Sequence, residues 1–280
     1  MESYLGYPLF LWQGLTNLLS LLIAGLVIAF VTTFYLKRKD ESTRVAGVIL
    51  EKRVEAQNEI LNVLENSSQK LEMTQPSAGA IREILLTHGF TLPYDPHIQY
   101  ADIFSSIEKY RKFLHSFERL FSKHRLWLDT KTRHQMFLMQ GYFAAINASM
   151  LLFNRIPFPA DVQLTKEEMD KLSDQLIFYL GVVLDEELNK LIMDLDVLMV
   201  RSIYKLNLAR PKRSFLSHRF TNKEAKKAEA FLLKESIMGQ ALPKIVILSL
   251  GLVEALKGME FTEEQHFKYY ESYSGKPMQE

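Results

Sequence analysis

The stretch Leu18-Leu-Ser-Leu-Leu-Ile-Ala-Gly-Leu-Val-Ile-Ala-Phe-Val-Thr-Thr-Phe-Tyr35, followed by Leu36 and the cluster Lys37-Arg38-Lys39, decides the architecture. No charged residue stands between Ser3 and Leu36. The apolar run reaches back to Leu9, which gives a helix of about 28 residues, long enough to cross a bilayer with some tilt. Its Leu, Ile, Val and Phe side chains each contribute about −0.3 to −0.6 kcal/mol near the bilayer centre, so together they favour insertion by about −3 to −7 kcal/mol. Tyr7 and Trp12 at one end and Tyr35 at the other stand where interfacial aromatics belong. A cleaved signal peptide would carry a basic leader and a small-x-small cleavage site, whereas the only charge ahead of this run is Glu2 and a basic cluster follows it. The sequence therefore predicts a retained single-pass helix over residues 9–36. Residues 1–8 form a short extracytoplasmic segment, and the basic flank holds the rest of the chain on the cytoplasmic side of the cell (inner) membrane.

One face of this helix is polar or small. Gln13, Asn17, Ser20 and Ala24 recur at steps of four, three and four, which aligns them along one side. Such spacing marks helix–helix contact in membranes, at about 0.6 to 2 kcal/mol per interhelical hydrogen bond, and Gly25 with Ala29 adds a small-xxx-small pair on an adjacent face. The pattern predicts that the chain forms a homo-oligomer through these four residues. The competing reading leaves Gln13 and Asn17 in the outer headgroup zone.

After the anchor, residues 37–73 read as a juxtamembrane helix or stalk. Val45, Val48, Ile49, Ala56, Ile60, Val63 and Leu64 form an irregular apolar stripe along it. Thr74 to Gly79 is a break, and residues 74–280 read as an α-helical domain. Phe104, Ile107, Leu114, Phe117, Phe121 and Leu128 mark an amphipathic helix. Met136–Phe153 is uncharged, but Gln140, Asn147 and Ser149 dilute it, so it reads as a buried central helix rather than a second span. Thr165 with Glu168 forms a capping box that opens a long helix, along which Ile177, Leu180, Leu184, Leu188, Leu191, Leu195 and Leu198 trace the best heptad in the chain. That seam reads as the inside of a bundle in preference to a coiled coil with a partner. Further boxes at Thr221/Glu224 and Thr262/Gln265 open later helices, and Pro243 and Gly258 are expected to bracket another as its first position and its stop. No run alternates with period two, so the fold class is all-α with no strands expected.

Composition narrows the chemistry. The chain has 280 residues, a net charge of +1 and no cysteine, which removes disulfides, thiolate metal sites and cysteine nucleophiles. No phosphate-cradling glycine loop, nucleophile elbow, HExxH helix or EF-hand loop occurs, so no cofactor and no metal is expected. The acidic residues Asp185-Glu186-Glu187, Asp194 and Asp196 read as a solvated polar face of the heptad helix.

Two segments match an R-x4-H pattern, Arg119 to His124 and Arg213 to His218. Histidine moves a proton near neutral pH and arginine stabilises charge developing on a phosphate. The pattern resembles the signature of HEPN ribonucleases, all-helical proteins, and the resemblance implies Arg213 and His218 as a catalytic pair acting on an RNA phosphate from a dimer interface. The same region is strongly basic: Arg210, Lys212, Arg213, Arg219 and Lys223, with Phe215 and Phe220 interleaved, make a candidate surface for anionic lipid headgroups or RNA. The first functional expectation is a non-enzymatic, membrane-anchored scaffold or effector that self-associates through its membrane and cytoplasmic helices. A membrane-tethered HEPN-like ribonuclease and a basic lipid- or RNA-binding loop stand as alternatives. Its plan of small anchor plus helical domain is similar to that of many bacterial membrane proteins, including some in antiviral systems.

Overall fold

The computed structural model describes residues 3–4, 7–74, 77–92, 97–155, 158, 162–204 and 226–274. They divide into two units, one ending at Lys52 and one beginning at Arg53.

In the first unit, β1 (Ser3–Tyr4) pairs antiparallel with β2 (Tyr7–Pro8) and leads into α1 (Leu9–Phe30). A π-helical stretch, Val31–Leu36, joins α1 to α2 (Lys37–Ser67) with no loop between them. Every side chain from Gln13 to Val45 is exposed. An uncharged helix that exposes this much apolar surface is suited to a core or a bilayer, and from Gln13 to Phe30 α1 packs into no core of this unit. It is long and apolar enough to cross a membrane.

The second unit is mostly helical. The later half of α2 supplies buried Ala56, Ile60 and Leu64, spaced four apart along one side. The helix expected to run to residue 73 stops at Ser67, and a short antiparallel ribbon follows. In it β3 (Lys70–Met73) pairs with β4 (Ile98–Ala101) in the register Lys70↔Ala101 and Met73↔Ile98. Sequence patterning misses this ribbon because each strand is four residues long, too short for period-two alternation to register. Between the strands lies α3 (Ser77–Thr87), terminated by Gly89 at φ 79°, where Phe90 N–H donates to the Leu85 carbonyl (2.9 Å).

The core forms where α4 (Ile107–His124), α5 (Thr130–Phe153) and α6 (Lys166–Tyr204) meet. Ser106 caps α4 through Lys109 N–H, and Asp129 caps α5 through Lys131 and Thr132 N–H. Phe113, Phe117 and Phe143 pack edge to face, with ring centroids 4.9 and 5.3 Å apart across the α4–α5 contact. Met136, Met139, Tyr142, Phe143, Ile146, Met150 and Phe153 are fully buried, so the uncharged stretch of α5 packs as a core helix. The heptad seam of α6 is largely internal as expected: Ile177, Leu180, Leu184, Leu188, Leu191 and Leu195 are buried, while Leu198 is half-exposed and Met199 takes the next inward position. Gly181 lets α6 approach Phe104 closely; a Cβ there would stand 2.3 Å from that of Phe104.

The Thr165 box forms reciprocally. Glu168 accepts from Thr165 N–H (2.8 Å), and Thr165 Oγ1 accepts from Glu168 N–H (3.3 Å). The Thr262/Gln265 box does the same at the start of α9 (Glu263–Ser274). The Thr221/Glu224 box lies outside the described residues. Helical residues 226–235, π-helical over Phe231–Glu235, form α7, and α8 spans Ile237–Lys257. Gly258 ends α8 in the left-handed conformation (φ 62°), as expected. Pro243 does not begin this helix; Ser236 caps it through Gly239 N–H (2.9 Å), and Pro243 lies inside. The helix starts earlier than the proline because Ser236 supplies the capping oxygen and a partner carboxylate from α6 satisfies the first amides, as described next.

Candidate functional site

A groove of about 940 Å³ runs between α5, α6 and α7. Residues Glu186, Lys190, Asp194 and Leu198 of α6 recur at steps of four, so they form one wall. From α5 come Lys131, His134, Gln135 and Leu138, and from α7 come Lys227, Phe231 and Glu235. Gln135 Nε2 donates to the Leu191 carbonyl (3.3 Å), which ties the α5 wall to the α6 wall.

At the inner edge is Glu187, only 8% exposed. Its carboxylate accepts from Ile237 N–H (2.8 Å) and Met238 N–H (3.3 Å), the first amides of α8. A carboxylate there answers two otherwise unpaired donors and the positive end of the helix dipole. Tyr142 lies against the same carboxylate, and its phenol is pushed well above the usual range by burial first and by the Glu187 charge second. The expectation that Glu187 is part of a solvated face is therefore corrected. Glu187 falls three past Leu184 and four before Leu191, on the apolar stripe, and that spacing was the available signal. Neighbouring Asp185 is also engaged, by Lys70 of β3 and by Asn189 (3.3 Å).

A second polar cluster locks α2 onto the ends of α4 and α6. Arg53 donates from Nε to the Trp127 carbonyl (3.1 Å) and from Nη1 to the Ser202 carbonyl (2.9 Å). Buried Gln57 donates to the Met199 carbonyl (3.2 Å) and to Ser202 Oγ (2.6 Å). The Ser202 carbonyl lies in the last turn of α6 and has no partner along the helix, so a guanidinium suits both it and the negative end of the dipole, while the Trp127 carbonyl belongs to the turn between α4 and α5. Beside this clamp, Glu59 binds Lys123 (2.6 Å) and His124 Nε2 (2.8 Å). The hydrogen bond from Lys123, followed by that from His124, holds the Glu59 carboxyl below the usual carboxylate range.

Gln13, Asn17, Ser20 and Ala24 are all exposed on α1, and Ser20 Oγ donates to the Asn17 carbonyl (2.8 Å) within its own helix. In the Arg119/His124 match the arginine is exposed, whereas the histidine is buried against Glu59, so the two serve different surfaces. Arg210, Lys212, Arg213, His218, Arg219 and Lys223 lie outside the described residues. Among the described residues no group of three or more His, Asp or Glu is arranged to hold a metal. The groove thus offers cations, carboxylates and apolar side chains for binding. Comparison of the chain with models of known protein families, with curated proteins and with solved structures gave no match.

Proposed function

We propose that this chain is a membrane-anchored, non-enzymatic helical scaffold or effector that self-associates, with α1 as the anchor and the helical unit from Arg53 onward in the cytoplasm. One observation carries the reading: α1 is uncharged and predominantly apolar, and from Gln13 to Phe30 every side chain is exposed, with Leu18, Leu21, Leu26 and Ile28 each more than half exposed. Transfer of such surface into hydrocarbon is strongly favourable, and the basic cluster Lys37–Lys39 orients the helix with its N-terminal end outside. Self-association draws on the line Gln13, Asn17, Ser20 and Ala24, whose polar members gain by pairing with a second helix away from water. Nothing described favours the ribonuclease or basic-loop readings over this one.

The absence of native cysteine makes the test clean. Single cysteines placed in turn at 13, 17, 20 and 24, and at 15, 19, 22 and 26, are oxidised in native membranes. Disulfide-linked dimers are expected at the first set and at least tenfold fewer at the second. Equal yields around the helix, or none, overturn association through this face.

A further inference from the structure

The last half of α6 is apolar on two opposite sides. One side, Leu188, Leu191, Leu195 and Met199, is buried in the unit's own core. The other carries Met193, Val197, Val200 and Tyr204, which are 68, 44, 46 and 84% exposed. At about 100° per residue the steps of four, three and four between them draw a second stripe along the far side of the helix from the first. A solvated helix face is ordinarily charged, and a lone exposed apolar residue is ordinary, but four in heptad register are a seam without its partner.

The residues flanking this seam identify what fits it. Asp194 and Arg201 lie along one edge and Asp196 along the other, and all three are exposed. Among the described residues none of them holds an ion pair within its own chain. If a second α6 is laid against the seam in parallel, Arg201 faces Asp196 of the other copy. If it is laid antiparallel, Arg201 faces Asp194. Either two-fold arrangement gives two Asp–Arg pairs, so the patch is complementary to itself, as an isologous interface must be.

We infer that the Met193–Tyr204 face of α6 is a docking surface for the same face of a second copy of this chain, closed by Arg201 against Asp194 or Asp196. The inference deepens the proposed self-association and rests on it, adding a contact outside the anchor.

The test uses the full chain in detergent micelles, carrying a single cysteine at Val200 and treated with a short bismaleimide. A parallel preparation carries the single cysteine at Asn17 in the anchor. Cross-linked dimer through residue 200 is expected. It falls at least tenfold in Arg201→Asp, and equally in the double variant Asp194→Arg/Asp196→Arg. Mixing the all-acidic and all-basic copies restores the cross-link between unlike copies only, and this rescue also shows that both variants are folded. Loss of the residue-200 cross-link with the residue-17 cross-link intact overturns this inference and leaves the anchor reading standing. A residue-200 cross-link with none at residue 17 keeps this face and removes the anchor contact. Cross-links at residue 200 that ignore the charge changes, or a cysteine there protected from maleimide in a monomer, as when the chain covers its own seam, also overturn it.

Discussion

Among the described residues two helices are long and apolar enough to cross a membrane, α1 and α5, and they meet opposite environments. In α5 the inward apolar side chains, Met136 to Phe153, are buried against neighbouring helices, Gln135 reaches the Leu191 carbonyl of α6, and Ser149 bonds back to the Ala145 carbonyl. In α1 the apolar side chains from Leu15 to Phe30 are exposed, and the hydroxyls of Thr16 and Ser20, like that of Thr32 in the π-helical stretch that follows, turn back onto carbonyls of the preceding turn. Length and composition do not separate the two cases. What separates them is burial: one side of α5 is enclosed by its neighbours, whereas α1 is exposed from Gln13 onward.

The largest expected effect exchanges the two fates. Phe143→Ala removes a fully buried ring from the edge-to-face cluster in α5 and should cost about 3 to 5 kcal/mol in chemical denaturation, with membrane association untouched. Ile28→Arg should do the reverse, costing insertion about 3 kcal/mol while leaving the denaturation midpoint of the helical unit in place. If both variants fail in the same assay, the division between anchor and core is wrong.

Gly181→Ala should have the next largest effect. An exposed helical glycine gains stability of about 1 kcal/mol on becoming alanine. Here the new methyl meets Phe104 at 2.3 Å, so the sign should invert to a loss of about 1 to 3 kcal/mol. A stabilised variant would show that α6 and Phe104 do not pack as described.

The smallest effect concerns the ends of α6 and α8. The hydrogen bond from Lys257, followed by that from Thr165 N–H, lowers the Glu168 pKa to about 2. A depressed carboxylate contributes stability that is fully present above its unfolded pKa of about 4.3 and lost as pH falls through the folded value. Glu168→Gln keeps the capping box but removes the charge. Its small deficit in thermal midpoint should therefore hold from pH 7 to about pH 5 and vanish as pH approaches 2. A deficit unchanged at pH 2 would assign the effect to shape.

These contrasts also show what could be read in advance. The long apolar helix α1, the Thr165/Glu168 and Thr262/Gln265 boxes and the Gly258 stop are legible because each is complete within neighbouring residues. Arg53 and Glu187 are not, because their partners stand 149 and 50 residues away along the chain and only the fold brings them together. The β3–β4 ribbon hides in two four-residue segments. The start of α8 is misjudged because Pro243 is a stronger local signal than the Ser236 cap, and the Glu187 carboxylate that completes the helix start is contributed by α6. The outer apolar stripe of α6 is hidden in the sequence because Leu188, Leu191 and Leu195 trace a stronger heptad on the same helix.

Whether α1 resides in lipid is the most direct question about this molecule. Membranes from cells expressing the full chain, extracted with alkaline carbonate and then with a mild detergent, decide it. The chain should stay in the carbonate pellet and enter solution only with detergent; release by carbonate alone would contradict the assignment of α1 as a membrane anchor.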